Sequence, residues 1–250
     1  MSTTNTKNVI ADIVKKIGGL GFVETLRVTG TADKTRIEAI DNDKTVIIKA
    51  TTKEALADLQ GEFGVANLQL LGGLLNFVSY KTDDSTFNVK LRDVNGKQVP
   101  EEFEFRDANK LGANFRLMNA NLVPEQPLVA DITWDVEFTP AVAKIQEFSS
   151  LAGLYSQFDQ YFAVKTKDGN LVFAIGEEGS ATHRASLVFE EDIKGELKGE
   201  LLWPIAQFLS ILKSAAGHDY TVGITSKGAL LVQVITEFAT YDFILPARRR

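Results

Sequence analysis

The chain has 250 residues, 44% of them hydrophobic and 24% charged; this excludes a disordered protein and gives enough length for two domains with separate cores. It has no cysteine, which excludes disulfides and thiolate metal sites, while the absence of an apolar run near ~18 residues excludes a membrane-spanning helix. The net charge of -6, from 27 Lys and Arg against 33 Asp and Glu, excludes a uniformly basic nucleic-acid binder but not a locally basic face, because screening confines each charge to about 8–10 Å at physiological salt.

In chain order, the opening MSTTNTKNVI lacks a secretory layout, so a cytoplasmic location is expected, host cytoplasm if the protein is viral. The first predicted element is a helix from Asn8 to Ile17, stopped by Gly18-Gly19-Leu20-Gly21. That glycine run follows a helix and has no adjacent Lys-Ser or Lys-Thr pair, so it reads as a C-terminal cap and not as a phosphate loop. Strand-like sequence then leads to Ala39-Ile40, and Thr52 to Gly64 reads as a short helix or irregular loop. A second helix places Leu71, Leu74, Leu75 and Val78 on one apolar face. Alternating strands follow, with Phe87 to Leu91 among them, a primed hairpin turn at Asn95-Gly96, and Glu102-Phe103 in strand sequence.

Leu117 to Gln126, with Pro124 and Pro127 at its end, has no periodicity and is the predicted linker, extending over about residues 117–130. The domains are therefore 1–126 and 127–250. Beyond the linker, a helix is predicted from Ala141 to Leu151, then strands turning at Asp168-Gly169 and reaching Ala174-Ile175. Trp203-Pro204 opens a fourth helix, with proline in its tolerated first turn. Ser226-Lys227-Gly228 and the strand Leu230 to Val234 complete the pattern, with Glu237-Phe238 again in strand-like sequence.

The two halves repeat. Leu20 and Leu154 stand 134 residues apart, and so do Leu71, Leu74, Leu75 and Val78 from Ile205, Phe208, Leu209 and Leu212. Ala39-Ile40 and Glu102-Phe103 recur at Ala174-Ile175 and Glu237-Phe238, 135 residues on. Such a duplication predicts an α+β fold of two similar domains, each with antiparallel sheets and two helices. Copies joined head to tail through edge strands can close into a ring, with the helices lining the hole.

Three segments resemble the DNA sliding clamps, most closely those of T-even-type tailed phages: Asn67 to Val78 (NLQLLGGLLNFV), Pro124 to Ala130 (PEQPLVA), and the ending Ala239 to Ala247 (ATYDFILPA). The resemblance spans almost the whole chain and extends to the related proliferating cell nuclear antigen. It implies the DNA clamp fold and a homotrimeric processivity factor that encircles double-stranded DNA without regard to sequence. It also implies a replicative DNA polymerase and a clamp loader as partners, a phage replisome as the setting, and no membrane. Thr52 to Gly64 and the terminal Arg248-Arg249-Arg250 depart from the family pattern; the terminal run reads as a solvated tail.

For the DNA-facing surface the candidates are Lys7, Lys15 and Lys16 on the first helix, Lys81 after the second, Lys144 on the third and Lys213 on the fourth, each attracting phosphates without reading sequence. The resemblance places a partner-peptide pocket under the linker and beside the terminal strand, implicating Leu122, Val123, Leu128, Val129, Leu245 and Pro246. Enzymatic chemistry has little to draw on. His183, in a strand-like run, and His218, in a Gly-His-Asp turn, are the two histidines, and the pairs Asp83-Asp84, Glu101-Glu102, Glu177-Glu178 and Glu190-Glu191 read as solvated charge. No enzyme activity, metal or cofactor is expected. Two other readings fit the duplication: a viral structural or assembly protein without DNA in its hole, and a clamp-like subunit of a hetero-oligomer.

Overall fold

The computed structural model describes residues 3–127, 132–176 and 183–248. It forms two compact units. The first holds the chain up to Gln126, apart from Thr45–Ile47, together with Thr236–Tyr241; the second holds the rest.

In the first unit the order is α1 (Thr3–Ile17), β1 (Leu26–Gly30), β2 (Thr35–Ile40), β3 (Ile47–Thr52), β4 (Gly61–Val65), α2 (Leu68–Asn76), β5 (Thr86–Val94), β6 (Lys97–Arg106) and β7 (Gly112–Arg116). In the second, a short β8 (Val136–Phe138) precedes α3 (Val142–Tyr155), β9 (Tyr161–Lys167), β10 (Asn170–Ile175), β11 (Ala185–Glu190), β12 (Leu201–Pro204), α4 (Ile205–Ala215), β13 (Asp219–Thr225), β14 (Ala229–Ile235) and β15 (Ala239–Pro246). From α1 and from α3 the order is the same: a helix, four strands, a helix, three strands. The duplication is thus a duplication of topology.

Each unit has two sheets. In the first, β4, β1, β2 and β3 lie side by side, followed by the start of β15, and β5, β6 and β7 form the other sheet. In the second, β12, β9, β10 and β11 form one sheet, and β8, β13, β14 and β15 the other. The strand pairs have antiparallel registers, Val28↔Ile37 in β1–β2 and Phe173↔Val164 in β10–β9 for example. Turn chemistry sets these registers. Asn95 (φ 55°) and Gly96 (φ 79°) close β5–β6, and Asp168 (φ 52°) and Gly169 (φ 79°) close β9–β10, both with the two positive φ angles that a type I′ turn demands.

One face of each sheet is covered by helices. Burial alternates strictly along β1 and β10, as it must when one side is solvated. In the first unit Ile10, Ile13 and Val14 of α1 meet Val28, Phe63, Leu71 and Phe103 around a residual void of about 20 Å3. In the second, Phe148 of α3 makes edge-on contacts with Phe162, Phe173, Phe189 and Phe208 at 5.1–6.2 Å, while Phe173 and Phe189 stack at 4.0 Å. All five rings are fully buried, and each contributes about 1.5–3 kcal/mol by leaving water.

Four details differ from the sequence expectations. Residues 61–64, expected as helix or loop, begin β4 and pair with β1; Gly61 and Gly64 hide the strand signal, because glycine lowers β propensity. Val78 is 80% exposed, because α2 ends where Phe77 turns extended, and Leu68, Leu71 and Leu75 form the buried face. Glu237-Phe238 lies in the bend between β14 and β15, whereas Glu102-Phe103 lies within β6, so this fourth match of the repeat is not structural. Pro204 ends β12 and sits at the N-cap of α4 with φ -70° and ψ 127°, one residue before the first helical position.

Candidate nucleic-acid interface

The solvent sides of the helices are set by the core they cover. On α1, Val9, Ile10, Ile13, Val14 and Ile17 point inward, which turns Asn8, Lys15 and Gly19 outward. The glycine run works as a cap: Gly21 adopts φ 83° and donates its N–H to the Gly18 carbonyl. Glycines also bring α1 against α2. A Cβ on Gly18 would stand 3.1 Å from Leu68 Cβ, and one on Gly72 3.3 Å from Val14 Cγ1. Between the two helices runs a groove of about 510 Å3 lined by Asn8, Asp12, Lys15, Gln69 and Asn76 among others. Ala11, Val14, Leu68, Leu75, Phe238 and three glycines line it beside these five polar side chains, of which Lys15 is the one cation.

The six lysines expected to face DNA divide into four kinds. Lys15 on α1, Lys81 beyond α2 and Lys213 in the last turn of α4 are exposed. Lys213 also completes the favourable end of its helix dipole. Lys7 is half-buried and donates Nζ to the Tyr80 carbonyl; burial first, and then the nearby Lys81 charge, hold its ammonium below the ordinary lysine range. Lys144 is paired with Glu147 at 3.2 Å, so an adjacent carboxylate offsets its charge. Lys16 is a correction. It is 3% exposed, because it falls beside Ile17 on the inward side of α1, and burial lowers its pKa although Asp12 opposes that shift. It does not present its charge to a ligand in solution.

The expected peptide pocket is also revised. Val123 (3% exposed) packs on Gly64 of β4, and Leu245 (0%) lies in the core, its carbonyl accepting Trp203 Nε1 at 3.0 Å. Neither offers an open surface. Leu122, 69% exposed, and Pro246 do. Leu128 and Val129 lie outside the described residues. What holds residues 117–126 is not marked in the sequence. Arg27 of β1 donates Nη2 to the carbonyls of Ala120 (3.1 Å) and Val123 (3.3 Å), and Gln126 Nε2 donates to those of Ala39 and Ile48 (2.7 Å for the latter). No local signal marks these long-range contacts, although a guanidinium in an otherwise apolar strand is the residue type that collects carbonyls.

Glu101 pairs with Arg116 (3.0 Å) and Glu102 with Lys90 (3.4 Å), so this pair is ion-bridged as well as solvated. His183 precedes β11, outside any strand, and its ring lies 4.9 Å from that of Phe158. His218 stands in the turn after α4, its N–H donating to the Ala215 carbonyl. Glu177-Glu178 lies outside the described residues. Among the described residues no cluster of three His, Asp or Glu side chains is placed to hold a metal, and no helix is long and apolar enough to cross a membrane. The terminal run is not wholly a free tail. Arg248 exchanges backbone hydrogen bonds with Leu202 of β12 and sets its guanidinium 5.2 Å from the Tyr161 ring centre; Arg249 and Arg250 lie outside the described residues.

No protein-family model matches the sequence. No curated protein matches it either. Solved structures do. The chain superposes on A. fulgidus PCNA, in a structure of that protein bound to the C-terminal region of FEN-1, with a TM-score of 0.67 at 9% identity, covering 98% of this chain and 96% of that one. The fold is that of proliferating cell nuclear antigen. PCNA from Entamoeba histolytica gives 0.65 at 13% identity over 97% of this chain and 96% of that one. PCNA from Thermococcus kodakaraensis gives 0.63 at 14% identity over 99% and 98%. The PCNA fold thus accounts for the chain nearly end to end, with few residues in common, because a clamp fold asks for a pattern of buried and exposed positions that many side chains satisfy.

Proposed function

We propose that the chain is one subunit of a sliding clamp: a non-enzymatic ring that encircles double-stranded DNA and tethers a replicative DNA polymerase to it. The observation that carries this reading is the duplicated PCNA-like topology, spanning 97–99% of the chain in three superpositions, with the exposed cations Lys15 and Lys213 on its helices. Three copies of a two-domain chain supply six domains, the number that closes a clamp ring, so the oligomer is a homotrimer. A clamp loader would open it onto DNA, and the phage-like segments point to a viral replisome working in the host cytoplasm.

The physical mechanism is topological. A closed ring stays on the duplex without a tight contact, and lysines facing phosphates across water give an attraction of similar strength at every base pair, so sliding meets only low barriers. The partner would hold a short peptide against the linker, where Leu122 is exposed and the neighbouring Leu128 and Val129 belong to the same segment. The domains divide after Gln126, with residues from about 117 to 130 joining them.

The test is polymerase synthesis with the cognate enzyme and loader on primed DNA. Long products on closed circular templates, and loss of that stimulation on linear templates with free ends, are expected. Equal stimulation on both would overturn the ring. For the peptide site, the polymerase tail should bind wild type and fail to bind Leu128→Asp; unchanged binding would place the pocket elsewhere.

A further inference from the structure

Two sheets of the same strand order, β4-β1-β2-β3 and β12-β9-β10-β11, differ in what lies on the face turned away from their helices. In each unit the residue two places beyond the last strand pairs with the fourth strand: Met118 with Gly64 of β4, and Arg248 with Leu202 of β12. Gly64 stands opposite Arg27, and Leu202 opposite Ala163, so the two registers coincide. In the first unit the chain then crosses the sheet. Arg27 of β1 holds the carbonyls of Ala120 and Val123, and Gln126 reaches those of Ala39 in β2 and Ile48 in β3. In the second unit the matching face, over β9, β10 and β11, is an open trough of about 570 Å3.

The residues of that trough suit a second strip of polypeptide. Arg27 and Glu38 are opposite each other on β1 and β2, and their counterparts Ala163 and Ala174 are opposite each other on β9 and β10. Two long side chains are thereby replaced by methyl groups. Ala163, Ala174 and Ser186 continue as one row across the strands, and Val172 and Val188 add apolar floor beside it. Lys165 and Lys167 stand on one flank of the row and Arg184 on the other, and with Asp168 and Glu200 as the acids of the lining the cations exceed the carboxylates by one. Lys167 and Arg184 are exposed. That surplus favours an anionic ligand. It is thin for a nucleic-acid backbone with a charge on every phosphate, and no aromatic ring lines the trough for a base to stack on. An apolar floor between cations fits carboxylates interleaved with small apolar side chains.

We propose that this face takes an extended acidic segment of a partner protein, laid across β9, β10 and β11 as residues 120–126 are laid across β1, β2 and β3. Neighbouring strands are about 4.8 Å apart, so crossing a four-stranded sheet spans roughly 15 Å, which about five extended residues cover at ~3.3 Å each. A segment in the row of Ala163, Ala174 and Ser186 has cations on both sides. This face plays no part in the ring reading, and its failure would leave that reading standing.

Fluorescence anisotropy on the full chain tests this, with a dye-labelled peptide of about eight residues in which glutamate and valine alternate, long enough to cross the sheet. Binding is expected, and Lys167→Glu with Arg184→Glu should raise the dissociation constant at least about tenfold. Ser186→Trp should do the same by filling the row without changing its charge. All three positions are exposed, so circular dichroism and melting should match wild type. The same peptide with lysine for glutamate should not bind. No binding at about 1 mM peptide, the weak end of measurable affinity, overturns the proposal, as does binding that either variant leaves unchanged or that the lysine peptide equals. Single-stranded oligothymidine that binds more tightly than the acidic peptide and is lost in the same variants also overturns it, making the face a nucleic-acid site.

Discussion

Tyr241 donates its phenolic hydrogen to Oδ2 of Asp12 at 2.8 Å, joining residues 229 positions apart. Thr236 donates to the same oxygen at 2.7 Å, so one carboxylate on α1 collects two hydroxyls from the last strand region of the chain. Tyr241 is fully buried. Replacing it with phenylalanine removes one charge-assisted bond and should lower unfolding stability by about 1.5–3 kcal/mol. Asp12→Ala should cost more, about 2–4 kcal/mol, because the buried Tyr241 hydroxyl then loses its acceptor and Thr236 is left with the Ala239 carbonyl alone. Urea midpoints of the two variants check the order.

The same bond makes stability depend on alkaline pH. Burial first, and then the Asp12 charge, push the Tyr241 phenol far above its ordinary value. The unfolded chain releases this proton near pH ~10 while the folded chain keeps it, so the contribution is whole below pH ~10 and is lost as pH rises beyond it, by about 1.4 kcal/mol per unit. Urea titrations between neutral and strongly alkaline pH should show a steeper loss for wild type than for Tyr241→Phe. Parallel slopes would refute the assignment.

The lysines separate by burial. Lys15→Glu with Lys213→Glu should reduce association with DNA and flatten its salt dependence by about one power of salt concentration per lysine, leaving the melting temperature nearly unchanged. Lys16→Glu should do the reverse, lowering stability by about 3 kcal/mol or more by placing an acid where a largely buried base stood. Retention on closed circular DNA at several salt concentrations, alongside thermal melts, tells the two outcomes apart.

Gly64 supports the segment that holds Met118 and Val123. A Cβ at this position would stand 2.5 Å from Met118 Cγ and 2.6 Å from Val123 Cγ2, and the Gly64 and Met118 backbones bond to each other in both directions at 2.8 and 2.9 Å. Gly64→Ala should therefore cost about 1–3 kcal/mol and speed proteolysis between residues 117 and 127. Faster cleavage with unchanged sensitivity elsewhere is the expected result.

The duplicated order of elements was legible in the sequence because it rests on local signals. Apolar spacing of three and four marks helices, alternation marks strands, and Asn95-Gly96 and Asp168-Gly169 mark turns whose backbone angles few other residue pairs adopt. Those signals located the four α-helices found among the described residues. They failed where local preference and tertiary demand part: Gly61 and Gly64 obscure a strand that pairs with β1, and Val78 continues an apolar spacing past the point where the helix stops.

By itself, then, the sequence determined the α+β class, the repeat and the residue types available for a charged surface, since these depend on neighbours along the chain. Only the tertiary structure decided that Lys16 is buried while Lys15 is not, that Val123 and Leu245 belong to cores, and that Arg27 and Gln126 hold residues 120–126. A one-residue step turns a helix by ~100°, and which side of it meets a sheet is settled by contacts dozens of residues away, which periodicity alone does not encode.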